Sequence, residues 1–144
     1  MCSNDSVRPG RILALDYGSK NVGLASNDEL GVVVRPLPSI PNRSRRDLLN
    51  RLRTVVRENA IDSLLIGLPL NMDGTSGEAV ERVRHFAAFL AQELGLPLRE
   101  FDERLSTVEA MEMWRCMSAR RQRRYRTVDS LAAAFILERF LKET

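Results

Sequence analysis

The chain has 144 residues, 44% hydrophobic, 28% charged and 6% aromatic, with a net charge of +3. That composition excludes a disordered tail or a collagen-like chain. The length suits one domain, and two cysteines, Cys2 and Cys116, exclude a disulfide framework or a cysteine metal site. No apolar run reaches the roughly 18 residues of a membrane span, and MCSNDSVRPG lacks a signal-peptide apolar region, so a cytoplasmic protein is expected.

Residues 1–10 read as a loose arm on a single domain spanning 1–144. Arg11–Tyr17 is an apolar run with a carboxylate, Asp16, near its end, and predicts a buried strand. Gly18-Ser19 signals a turn. Asn21–Ser26 predicts a second strand, in which Gly23 permits close backbone approach. A turn at Asn27-Asp28 leads to a third strand, Val32–Leu37, bounded by Pro36 and Pro38. Short turns between these three predict an antiparallel meander.

The period then changes. Leu48, Leu49, Leu52, Val55 and Val56 mark one face of a helix, with Ser44 and Asp47 placed as a capping box. Ser63–Leu68 is wholly apolar, as a central parallel strand is. After the loop Pro69–Gly77, Thr75 and Glu78 fit a cap for a helix carrying Val80, Val83, Phe86, Ala87, Leu90 and Leu94, which Gly95 ends. Leu96–Phe101 predicts a fifth strand, Ser106 to about Met117 a helix, and Val128–Leu141 a closing helix with small Ala132, Ala133 and Ala134. The fold class is therefore α/β: a mixed five-stranded sheet, three antiparallel strands and then two parallel ones, flanked by helices.

Sites in open α/β sheets form at the carboxyl ends of parallel strands. Asp16 and Glu103 fall at such ends, and Asp129 begins the last helix. Three carboxylates in one cleft repel one another unless cations join them. Mg²⁺ or Mn²⁺ suits an all-oxygen donor set, and two such ions about 4 Å apart can activate water against a phosphodiester. Each acid also has a plainer role: Asp129 as a helix-start residue, Glu103 as a surface partner of Arg104. Asp16, inside an apolar run, fits such a role less well.

Arg115, Arg120, Arg121, Arg123, Arg124 and Arg126 form a basic block with no acid inside it. It reads either as a polyanion contact or as a solvated loop. His85 reads as a surface residue, Met111, Met113, Trp114 and Met117 as packing residues, and Cys116 as a packed thiol.

The stretches ALDYGSKNVGLASND (14–28), IGLPLNMDGTSGEAVERVRHFAAFL (66–90), DERLSTVEA (102–110) and TVDSLAAAFIL (127–137) resemble the YqgF, or RuvX, family. The resemblance runs from about Arg11 to Leu141. It implies an RNase H-like fold, and a metal-dependent nuclease that processes the 5′ end of precursor 16S rRNA in ribosome biogenesis. It also implies an acidic triad that falls on Asp16, Glu103 and Asp129, the acids reached above, as catalytic residues and as ligands of a divalent cation. A substrate-binding role falls on Arg120, Arg121, Arg123 and Arg124 as a group, with Lys20, Asn71 and Arg104 as cleft residues. Where the family often carries an arginine, after the lysine of the first motif, Asn21 stands here.

The expected partner is nucleic acid: precursor rRNA, free or within ribosomal particles, bound by a monomer or homodimer away from membranes. Two alternatives accompany this reading. One is a Holliday junction resolvase acting on branched DNA; the other is a non-catalytic nucleic-acid-binding factor in transcription or ribosome assembly. A sugar kinase or actin-like ATPase would need two such domains, and this chain has room for one.

Overall fold

The centre of the fold is the strand read first from the sequence. Ile12, Leu13, Ala14 and Leu15 are all buried, because the strand is paired on both edges and covered on both faces. A computed structural model of the protein describes residues 10–31, 33–68, 77–102, 112, 114–116, 118–124 and 128–143. Its elements run β1 (Ile12–Tyr17), β2 (Asn21–Asn27), β3 (Val34–Pro41), α1 (Arg45–Glu58), β4 (Ser63–Leu68), α2 (Glu78–Leu94), β5 (Leu98–Asp102), α3 (Ala119–Arg124) and α4 (Val128–Glu143). The five strands form one sheet in the order β3-β2-β1-β4-β5. β1 pairs antiparallel with β2 and parallel with β4; β2–β3 is antiparallel and β4–β5 parallel. This is the mixed sheet that the pattern predicts.

Alternation along the strands builds two cores. Leu13, Leu15, Val22, Leu24, Leu64, Ile66 and Leu68 face α1 and α2, against Leu48, Leu52, Val83, Phe86 and Leu90. Ile12, Ala14, Ala25 and Leu65 face the other way, against Leu131, Ala133, Ala134, Ile136 and Leu137 of α4. Small residues on both sides of that second layer let α4 lie close to the sheet.

Local signals explain the helix ends. The Ser44 side chain accepts a hydrogen bond from the Asp47 N–H at 3.1 Å, as the spacing predicts. α2 ends at Gly95, which takes φ +67° and donates its N–H to the Ala91 carbonyl. Its N-cap is Gly77, and among the described residues no side chain caps it. Thr75 lies outside the described residues.

The third strand is a correction. It spans Val34–Pro41 and contains both prolines expected to bound it. It is an edge strand, where a missing N–H leaves no central ladder bond unmade. The ladder also shifts there: Leu24 pairs with Leu37 but Val22 with Ile40, so Pro38 sits in a bulge. The arginine block differs too, since residues 119–124 form a short helix rather than a loop.

Asn27 anchors the start of β1. Its buried side chain accepts from the Ile12 N–H and donates to the carbonyls of Gly10 and Asp28, each at 2.8 Å. Removing that side chain leaves the buried Ile12 N–H without its acceptor. Asn27→Ala is expected to lower unfolding free energy by about 1–3 kcal/mol, read from urea melts of wild type and variant.

Candidate active site

Strand alternation decides where Asp16 points. Ile12 and Ala14 belong to the α4 side of the sheet, so Asp16, two residues on, faces that side as well. Tyr17 faces the opposite side and stacks on Phe86, with ring centroids 4.4 Å apart. Asp16 is half-buried and has a bonding partner.

The neighbours of Asp16 across the sheet carry no side chains. On β2 it pairs with Gly23. On β4 the register runs Leu15↔Ile66, so the next step sets Asp16 level with Gly67. Paired positions share a face. The carboxylate is thus flanked on both sides by glycines, at the carboxyl end of the parallel pair β1–β4. Neither cross-strand neighbour projects a side chain beside the carboxylate.

β5 ends at the same height, with Leu68↔Asp102 as its last pair. Phe101 packs with the α4-side core. Glu103 follows directly in sequence and lies outside the described residues, as do Asn71 and Arg104. Asp129 lies in the first turn of α4. Among the described residues no group of three His, Cys, Asp or Glu side chains could hold a metal ion; of the three predicted acids, Asp16 is the one whose side chain is described.

The turn after β1 is tight. The Gly18 N–H donates to the Asn21 carbonyl at 3.0 Å, and a Cβ on Gly18 would lie 2.6 Å from that same oxygen. Lys20 is exposed at the tip of this hairpin, beyond the end of β1 that carries Asp16.

The arginines of α3 are attached to the layer that Asp16 faces. Trp114 packs on the α4-side core, as its reading as a packing residue required. The Gln122 side chain donates to the Trp114 carbonyl at 2.7 Å, and its N–H donates to the Ser118 carbonyl. Arg120 and Arg123 are exposed on this helix; Arg121 and Arg124 share it. Sequence reasoning missed Gln122, because a single glutamine among arginines carries no pattern. His85 is exposed, as expected. Cys116 is exposed as well, which corrects its reading as a packed thiol.

A five-stranded mixed sheet in the order β3-β2-β1-β4-β5, with helices on both faces, is an RNase H-like fold. Solved structures agree on the fold. T. thermophilus RuvC in complex with a Holliday junction substrate superposes with a TM-score of 0.58 at 12% identity, over 92% of this chain and 94% of that one. The Fowlpox virus resolvase, with its Holliday junction DNA, gives 0.59 at 10% identity, over 92% and 97%.

Sequence comparison is more specific. The model of the RuvX family, described as "Holliday junction resolvase", matches residues 10–143. A Geobacillus kaustophilus protein named "Putative pre-16S rRNA nuclease" is 41% identical over 133 residues, 91% of this chain and 96% of the relative. A Moorella thermoacetica protein of the same name is 40% identical over 131 residues, 91% and 94% of the two chains. The chain belongs to the RuvX family, and with it to the nucleases, hydrolases that act on ester bonds.

The glycine cradle has a direct test. Gly23→Val puts a branched side chain on the Asp16 side of β2. Displacing a reacting group by about 1 Å costs on the order of 10²-fold in rate. Nuclease turnover by Gly23→Val is expected to fall by about that factor while circular dichroism keeps the wild-type spectrum.

Proposed function

We propose that the protein is a divalent-metal-dependent nuclease that trims the 5′ end of precursor 16S rRNA. The observation that carries the reading is Asp16, half-buried between Gly23 and the level of Gly67, at the carboxyl end of the central strand. The names of the curated relatives support the substrate. A cytoplasmic site of action accompanies it. Among the described residues no helix is long and apolar enough to cross a membrane.

The donor chemistry fits a hard cation. Asp16, Glu103 and Asp129 would offer only carboxylate oxygens, which suit Mg²⁺ or Mn²⁺ and not a soft metal. Bound there, the cation would supply Lewis acidity, lowering the pKa of water and neutralising charge on the phosphodiester. Glu103, which follows the last residue of β5 in sequence, would join the site as the family resemblance implies. Asp129, in the first turn of α4, would add its charge where the helix dipole favours an anion.

The protein's own residues hold the strand. Arg120, Arg121, Arg123 and Arg124, with Lys20, Asn71 and Arg104, would contact phosphate oxygens without reading sequence. The contribution of the arginine helix is positioning, since Gln122 and Trp114 fix it to the core that α4 covers. Cleavage of the P–O3′ bond by water leaves a 5′-phosphate and a 3′-hydroxyl.

Two measurements test this. Asp16→Asn, Glu103→Gln and Asp129→Asn should each lower Mg²⁺-dependent cleavage of single-stranded precursor RNA by about two orders of magnitude or more. Cells carrying Asp129→Asn should accumulate 16S rRNA with extended 5′ ends. Selective cutting of synthetic four-way DNA junctions, with single-stranded RNA left intact, would replace this reading with that of a resolvase. Normal 5′ ends in the Asp129→Asn cells, with no cleavage in vitro, would leave a non-catalytic binding factor.

A further inference from the structure

The end of the sheet that carries Asp16 has a basic corner in which Arg43 and Arg46, not discussed so far, stand near Lys20. β3 runs parallel to β1, so its last residue, Pro41, lies at the same end as the hairpin after β1. Asn21 pairs with Pro41, and Asn42 continues the ladder beyond it. The Asn42 N–H donates to the Lys20 carbonyl and its side-chain amide donates to the Gly18 carbonyl, both at 2.8 Å. Asn42 therefore locks the hairpin tip with Lys20 against the start of α1.

Arg43, Arg45 and Arg46 follow immediately, all exposed. The Arg45 guanidinium is occupied over the Phe89 ring, 5.1 Å from its centroid. The nearest acid in sequence, Asp47, is taken by Arg51, whose Nε sits 3.0 and 3.2 Å from its two oxygens. Among the described residues, Lys20, Arg43 and Arg46 have no carboxylate partner. Three cations gathered at one corner, with the nearest acid already held by Arg51, favour a bound polyanion over a solvated face. Strand spacing and rise put the corner on the order of 10–20 Å from Asp16, within a few nucleotides of a phosphate held there.

We infer that Lys20, Arg43 and Arg46 form a second phosphate-backbone contact, which holds a single-stranded nucleic acid where it leaves the Asp16 site over the end of the sheet. This rests on the nuclease reading above and gives the substrate a path. The strand crosses the sheet end from the α4 side, where Asp16 faces, to the corner where α1 begins.

The test is binding by the Asp16→Asn protein, which removes cleavage from the measurement. Fluorescence anisotropy with a labelled single-stranded RNA gives Kd and its salt dependence. Two pairs of substitutions remove equal charge: Arg43→Gln with Arg46→Gln at the corner, and Arg53→Gln with Arg57→Gln further along α1. The corner pair should weaken binding about tenfold and reduce the slope of log K against log salt by about 1.4, two phosphates' worth for a single strand. The second pair should change neither. Arg43→Lys with Arg46→Lys should restore most of the affinity, which separates loss of charge from loss of fold.

Equal behaviour of the two glutamine pairs, whether both weak or both intact, overturns the corner contact. Wild-type cleavage is scored separately. A wild type that cleaves while both pairs bind alike sinks the corner and keeps the nuclease. A wild type that never cleaves, with only the corner pair weakened, does the reverse.

Discussion

The structure turns on the register of β1. It is the central strand, fixed by pairing on both edges, with large residues packed on one face and small ones on the other. Sliding it by one residue would exchange the faces of every side chain. Leu13 and Leu15 would then meet the close α4 layer, and Asp16 would enter the leucine-rich core under α1 and α2. That alternative combines overpacking on one side with an unpaired charge in the core on the other. The apolar alternation that builds the core therefore also decides which face receives the carboxylate. Fold and site are specified by the same few residues.

The two faces of the sheet divide the work. The α1/α2 side holds most of the bulky core, with Phe86, Leu90, Leu48 and Leu52 fully buried. The α4 side is thinner, built on Ala14, Ala25, Ala133 and Ala134. A thin layer brings α4 near the sheet, and with it the first turn that contains Asp129. It also gives Trp114 a surface to pack on, from which Gln122 anchors the arginine helix. The larger core lies on one side of the sheet and the Asp16 carboxylate on the other, so substitutions around Asp16 face the smaller core rather than the main one.

Much of this was legible in the chain. β1, β2 and β4 follow their hydrophobic periods to within a residue, and α1 starts at its Ser44 cap, because each buries a continuous stripe and has a strong stop beside it, such as Gly18-Ser19 or Ser44. Asp16 stood out since a carboxylate inside an apolar run has few structural uses. The failures share a cause. In the sequence Pro36 and Pro38 signal strand breaks, yet their effect depends on whether the strand is central or at an edge, which is a tertiary fact. The arginine block gave no apolar stripe, so its short helix, held by Gln122, left no periodic trace. Residue type alone points Cys116 to the core, yet it is exposed.

Net charge is a poor guide to how this protein meets a polyanion. An overall +3 is small, and much of the arginine is spent on surface pairs: Arg11 with Glu29, Arg51 with Asp47, Arg53 with Glu93, Arg82 with Glu78, Arg84 with Glu100 and Arg139 with Glu143. Each such pair adds little stability and is weakened by salt. Their larger consequence is to neutralise locally the arginines that they hold. Among the exposed cations outside those pairs, Lys20, Arg43 and Arg46 gather at one corner and Arg120 and Arg123 on α3, while Arg35 and Arg57 stand apart. A phosphate backbone is then drawn to a few places on the molecule rather than to its whole surface. Affinity set by a few local contacts falls less steeply with salt than affinity spread over every arginine. The paired arginines thus sharpen the contribution of the unpaired ones, and the placement of acids matters to substrate binding as much as the placement of bases.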